Sequence, residues 1–256
     1  MPKRKLLTAA LLALSAGMGC AAPEGPVPVR PENVWDGKSP YICRRAAGPI
    51  TIDGKDHPEE WKHAMVIRDF FVPIARKAPQ SRTVARMLWD DSNLYLKAVA
   101  YDVDLIATLK GPAARLWVED VVELFLLPPG GGGYYEFEVS PAGALLDLEI
   151  PLGRHTRYET RAAWESGAPT AAGVKGTVNN SKDNDECFRM VMAIPWKALK
   201  FGGNSPPKGG EAWKFIVARC DLSKRYGGKQ ELSTCVPLPT IDFHPRPQYP
   251  TMIFAE

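Results

Sequence analysis

The chain has 256 residues, 45% of them hydrophobic and 24% charged, with 32 Lys and Arg against 29 Asp and Glu. Lys3, Arg4 and Lys5 supply the whole excess of +3, so the remainder is neutral and offers no general attraction for nucleic acid. A neutral chain of this length can bury one substantial core, and about 200 residues is ordinary for a single all-β domain.

The three basic residues open a signal-peptide pattern. They precede an apolar run, residues 6–16, that falls short of the roughly 20 residues a membrane-spanning helix needs. Gly17-Met18-Gly19-Cys20 resembles a lipoprotein cleavage box, with Gly17 where an aliphatic residue is usual. The expectation is a signal segment over 1–19 and export, with Cys20 lipidated or the chain simply secreted. Residues 20–40 carry Pro23, Pro26, Pro28, Pro31 and Pro40, the composition of an extended tether. The folded domain is then expected over 41–256, with Trp35 incidental or packed on its edge.

Residues 41–45 and 50–52 read as short strands, and residues 57–64 as one helical turn opened by Pro58. Residues 83–90 and 94–101 flank Asp91-Ser92-Asn93 as a hairpin, with Met87, Trp89, Leu94, Leu96 and Val99 as core candidates. The run Leu116-Trp117-Val118-Glu119-Asp120-Val121-Val122-Glu123-Leu124-Phe125-Leu126 then meets a stop, Pro128-Pro129 and Gly130 to Gly133. Tyr134-Tyr135-Glu136-Phe137-Glu138-Val139-Ser140 alternates again, so the two runs read as a second hairpin. Alternation puts Glu119 and Glu123 on one side of the first strand, and Glu136 and Glu138 on the face opposite Phe137. Carboxylates beside aromatic rings suit a polyol ligand. Residues 143–150, 157–164, 172–178, 187–194, 213–220, 231–236 and 249–254 read as further strands, with residues 195–199 as a short helix start. Many short strands, one or two helical turns and no fixed-period repeat predict an all-β sandwich of jelly-roll or immunoglobulin-like antiparallel sheets.

Besides Cys20 there are four cysteines, and an even number in an exported chain predicts disulfides among Cys43, Cys187, Cys220 and Cys235. Cys220 with Cys235 is the first pairing expected, though three connectivities are open. Zinc is the weaker reading, because no two cysteines stand at the short C-x₂₋₄-C spacing.

Several segments together resemble the family-9 carbohydrate-binding modules, a family of DOMON-like β-sandwiches. They are Ile52-Asp53-Gly54 followed by Trp61, Leu88-Trp89-Asp90-Asp91 with Leu94-Tyr95, and Trp117-x-x-Asp120-x-Val122-Glu123-Leu124-Phe125. Tyr134-Tyr135-x-Phe137, Ala193-Ile194-Pro195-Trp196-Lys197, Phe243 and Tyr249 follow in the family's order. The resemblance implies a non-catalytic domain that holds oligo- or polysaccharide between two aromatic rings, in support of glycan uptake or of separate glycan-degrading enzymes. It assigns Trp117 to one aromatic wall, Phe243 to the other, and Glu123 to the hydroxyl-binding carboxylate. Phe243 stands where the family has Trp, Glu138 where it has a basic residue, and Ser140 where it has Asn. No cofactor is implied as required; structural Ca²⁺ occurs in some members. The expected carbohydrate-binding set is Trp117, Glu123, Glu138 and Phe243, with His244 beside it.

Two other functions fit parts of the pattern. A glycoside hydrolase would use a pair drawn from Glu119, Glu123, Glu136 and Glu138. A haem module of the related sandwich type would draw on Met65, Met87, His57, His63 and His244, without a Cys-x-x-Cys-His attachment motif. No nucleophile elbow, P-loop or HExxH motif is present. A membrane partner is expected only through a lipid anchor.

Overall fold

The computed structural model describes residues 33–256 apart from 112, 154–155 and 225–226. The signal segment, Cys20 and most of the expected tether lie outside the described residues.

Among the described residues, twelve strands form one hydrogen-bonded sheet system. In chain order they are β1 (Tyr41–Arg45), β2 (Val66–Ile67), β3 (Thr83–Trp89), β4 (Asn93–Tyr101), β5 (Val121–Leu127), β6 (Gly133–Val139), β7 (Leu145–Pro151), β8 (Thr170–Lys175), β9 (Cys187–Pro195), β10 (Ala212–Ser223), β11 (Lys229–Thr234) and β12 (Thr251–Ala255). Two single-turn helices, α1 (Pro58–Trp61) and α2 (Tyr158–Arg161), complete the set with short 3₁₀ turns. The spatial order is β7-β6-β5-β10-β12-β1-β3-β4-β9-β8, with β11 on β10 and β2 on β3. Short parallel pairings of β1 with β12 and β3 join two antiparallel halves.

Period-2 alternation decides what each half buries. On β4 and β9 the register pairs Leu94 with Ile194, Leu96 with Met192, Ala98 with Met190 and Ala100 with Phe188, all on one face. On β5 and β6 it pairs Leu126 with Tyr135, Leu124 with Phe137 and Val122 with Val139. These two apolar faces share one core, the β-sandwich the alternation predicts. Trp89, Trp196, Trp213 and Phe254 lock its end, with ring centroids 5.5–5.8 Å apart in edge-on contacts. Such pairs add about 0.5–1.5 kcal/mol each beyond area burial. Each indole N–H is satisfied, Trp89 Nε1 donating to Ala255 O and Trp196 Nε1 to Asp90 O.

The β5–β6 turn is built as its glycines suggest. Gly130 and Gly131 take φ of +105° and +75°, the region where an L side chain is strained. Gly202 docks beneath: a Cβ there would fall 2.1 Å from Pro129 O.

Four expectations are corrected. Residues 50–52 form no strand, and the two-residue β2 was not foreseen. Residues 157–164 turn as α2 instead of extending. Trp35 is not tether: it is 3% exposed, its ring 5.9 Å from Tyr41 and 5.6 Å from Phe215, and Val34 bridges to Val66. Cys220 and Cys235 form no disulfide; both are buried free thiols, as is Cys43, whereas Cys187 is disulfide-bonded. The register explains the missing bond. Cys220 faces Leu232, so Cys235 lies three residues on, about 10 Å along the strand and on the other face.

Candidate binding site

The face of β5 and β6 opposite Leu124 and Phe137 carries the chemistry. Glu123 pairs across the strands with Glu138, and Phe125 with Glu136, so all four side chains share that face. Leu148 on β7 and Cys220 on β10 extend it by the same registers. Two segments roof it. The 3₁₀ turn Leu116–Val118 leads Trp117 in at one side, because β5 begins only at Val121. The terminal loop brings Phe243 and His244 over Phe125, with centroids 6.3 Å and 5.4 Å from it. Tyr134 Oη meets His244 Nδ1 at 2.9 Å, and Tyr249 Oη donates to Phe243 O at 2.8 Å, which fixes the loop.

The result is a pocket of about 340 Å³, lined by Trp117, Glu123, Glu136, Tyr158, Arg161 and Phe243 among others. That volume lies within the roughly 300–1,000 Å³ of small-ligand sites. Trp117 is half-buried and braced edge-on by Tyr158, centroids 5.4 Å apart at 79°. The Arg115 guanidinium covers both rings, and Gln230 Nε2 donates to Trp117 O at 2.6 Å. Phe243 is only 8% exposed, so it contributes an edge of the pocket more than a broad platform. A larger cleft, about 580 Å³ beside Asn93 and Pro195, has Trp196 as its one aromatic residue, and that indole is 2% exposed.

Of the four expected binding residues, Trp117, Glu123 and Phe243 line the pocket, and Glu138 lies directly beneath, paired with Glu123. Carboxyl oxygens of Glu123, Glu136 and Glu138 all fall within 4.8 Å of one another. Burial holds all three above the usual carboxylate range, Glu123 up to about 8; repulsion by the neighbouring acids adds to the effect at Glu123 and Glu138, while His244 and Arg161 offset it in part at Glu136. Cys220 Sγ, 3.1 Å from Glu123 Oε1, is pushed up in turn by burial and by Glu123. Glu119 stands apart. It accepts from the Thr108 amide at 2.7 Å, the Leu109 amide and the Thr108 hydroxyl, so it anchors a loop and leaves the acidic pair without it. Tyr158 and Arg161 were not anticipated. Their helical spacing, with Tyr158 and Ala162 four apart on one side, was the available signal.

The Met and His side chains weighed as haem ligands are dispersed. Met87 is sealed in the core, His57 pairs with Asp53 at 3.0 Å beside α1, and His244 belongs to the pocket loop.

A second acidic group lies at one edge of the sandwich, where Asp102, Asp120 and Asp221 bring carboxyl oxygens within 4.8 Å. Arg219 Nη2 holds Asp102 at 2.6 Å and reaches Asp221 at 3.4 Å. Burial raises Asp102 to about 7 and Asp120 to about 9. Both oxygens of Asp221, and one of Asp104, are buried without a hydrogen bond among the described residues, the Arg219 contact to Asp221 being an ion pair only.

Fold and pocket together define a β-sandwich with a ligand-sized, aromatic-rimmed pocket on its outer face. The chain belongs to the carbohydrate family 9 binding domain-like family, whose model matches residues 52–245. A candidate carbohydrate-binding protein of Bacteroides uniformis ATCC 8492 has the same fold: 17% identity, 84% of this chain and 99% of that one, TM-score 0.64. A family-9 module of Caldicellulosiruptor kristjanssonii, solved with cellotriose, superimposes at TM-score 0.53, with 13% identity over 84% of this chain and 93% of that one. No curated protein is significantly similar to this chain.

Proposed function

We propose that this is an exported, non-catalytic carbohydrate-binding protein that holds a sugar ring of an oligo- or polysaccharide in the pocket beneath Trp117. The observation that carries the reading is convergence. Trp117, Glu123 and Phe243, the residues the family resemblance assigns to binding, come from three separate segments and line one pocket. A pyranose presents C–H faces to the Trp117 and Tyr158 rings and hydroxyls to Glu123, Arg161 and Gln230, a division of labour that suits aromatic walls and polar ends. The basic start and short apolar run support export. In that setting the domain presents glycan for uptake or to separate degrading enzymes. Structural Ca²⁺ completes the reading. Asp221, Asp102 and Asp120, with Asp104 alongside, form the oxygen-only set that would hold it.

Titration of the protein with mono- and oligosaccharides, followed by tryptophan fluorescence, tests the binding reading. Saturable change is expected, and Trp117→Ala is expected to abolish it while the circular dichroism spectrum stays native. Because Trp117 is half-buried, its removal costs stability of about 1–2 kcal/mol, below the roughly 3–5 kcal/mol of a fully sealed Trp. Trp117→Ala binding saccharide as tightly as the parent would refute the site.

A further inference from the structure

The pocket floor holds more acid than a neutral sugar can use. Glu138 is wholly buried, and neither of its carboxyl oxygens has a hydrogen-bond partner among the described residues. Glu123 has the Cys220 thiol, a weak donor. The basic groups nearby, Arg161 and His244, act through space on Glu136 alone of the three carboxyls, and each has a hydrogen bond elsewhere: Arg161 Nε donates to Thr156 Oγ1 at 2.9 Å, and His244 Nδ1 meets Tyr134 Oη. Among the described residues no Lys, Arg or His forms an ion pair with Glu123, Glu136 or Glu138. Burying an unpaired carboxylate is costly, and the shortfall of donors and positive charge falls on Glu123 and Glu138, whereas Glu136 feels His244 and Arg161.

We infer that the pocket selects a cationic saccharide, a hexosamine unit with a free amine, whose ammonium is received by Glu123, Glu136 and Glu138. The inference rests on the saccharide reading of the same pocket and deepens it. An ammonium carries one positive charge and three N–H donors, one for each of the three carboxyls. A hydroxyl at the same point brings one donor and no charge, and leaves Glu138 as it stands. A bare metal ion would satisfy the oxygens and leave the ring-sized space between Trp117, Tyr158 and Phe243 without a purpose. An amino sugar fills both parts, its ring against the aromatic side and its nitrogen on the acidic floor.

The test compares glucosamine and its fully deacetylated β-1,4 oligomers with N-acetylglucosamine oligomers, glucose and cello-oligosaccharides, by calorimetry at pH 6.5 and low salt. Free-amine ligands are expected to bind at least about tenfold tighter than either neutral series, the worth of one charge-assisted hydrogen-bond set. Glu138→Gln is expected to bring that ratio close to one. Neutral sugars binding as well as their amines overturns this inference and leaves the saccharide reading intact. Silence towards every saccharide, with fluorescence change on Ca²⁺ or Mg²⁺ alone that Glu138→Gln removes, assigns the floor to a metal and overturns both.

Discussion

At the scale of single residues, Glu138 shows how burial becomes a pH response. It sits on a sealed sheet face beside Glu123 and Glu136, and burial followed by their charges holds its carboxyl well above the ordinary value of 4.5. Glu123 is raised to about 8 for the same first reason. A carboxyl raised on folding keeps a proton that the unfolded chain has already released. Stability is therefore full below the unfolded value, about 4.5, and declines as pH rises towards the folded one, by up to about 1.4 kcal/mol per pH unit for each such group. The Asp53 and Asp56 carboxyls, lowered chiefly by the Lys55 amide and by Lys97, act in the opposite sense at acid pH. The ligand-free protein should thus lose thermal stability between about pH 5 and pH 8. Glu138→Gln is nearly isosteric and has no charge to bury. Its melting temperature should exceed the parent's at pH 8 by about 2–8 °C, at about 2–4 °C per kcal/mol for a domain of this size, and match it near pH 5. Equal melting curves at both pH values would mean that Glu138 is ionised and compensated in the native state.

At the scale of elements, α2 shows what the site gains from a segment with no strand. Tyr158 leaves its first turn, donates from Oη to Ala113 O at 2.8 Å, and buttresses the edge of Trp117. Tyr158→Phe removes one hydrogen bond and should lower stability by about 1 kcal/mol, with little change in saccharide affinity. Tyr158→Ala removes the buttress, and affinity should fall about five- to tenfold as Trp117 gains rotamer freedom, read by the same fluorescence titration. A larger loss in Tyr158→Phe than in Tyr158→Ala would show that the hydroxyl itself binds sugar. Comparison with the sequence is instructive at this scale. Strands of strict alternation were legible: β3, β4, β6 and β9 fall within one or two residues of their expected ends, and Glu136 and Glu138 do share the face opposite Phe137, whereas β5 starts at Val121, after the turn that carries Trp117, and leaves Glu119 off the strand. Trp117, Glu123 and Phe243 were legible as a set through family order, not through any local pattern. What escaped depends on contacts distant in sequence. Trp35 is core because Phe215 lies beside it, and Cys220 meets Glu123 because β10 pairs with β5 in a register no local pattern encodes. Cys220 with Cys235 failed for the same reason, since facing strand ends in sequence do not fix register.

At the scale of the whole molecule, the second acidic group ties the end of β4 to the neighbouring strands β5 and β10, from which the sheet order separates it. Asp102 follows β4, Asp120 precedes β5, and Arg219 and Asp221 lie on β10. Asp120 accepts from the Ile106 and Leu222 amides, each at 2.6 Å, and Asp104 accepts from the Lys224 amide at 3.0 Å, so one knot joins both halves of the sandwich. Its charge does not balance. Arg219 offers one positive charge to three carboxyls, and Asp221 keeps two buried oxygens without a donor. Two states can resolve this: protons on the carboxyls, or a hard cation among them. The raised Asp102, at about 7, and Asp120, at about 9, describe the first state; Ca²⁺ would compete with those protons and so bind more tightly as pH rises. At a concentration of about 100 times its dissociation constant, a ligand stabilises the native state by about 2.7 kcal/mol. Millimolar Ca²⁺ should therefore raise the melting temperature by about 5–10 °C at pH 8 and by much less at pH 5.5. Asp221→Asn should erase the increment, and chelator should reverse it in the parent protein. A melting temperature indifferent to Ca²⁺ at both pH values would establish the protonated state, with Arg219 as the counter-charge of the knot among the described residues.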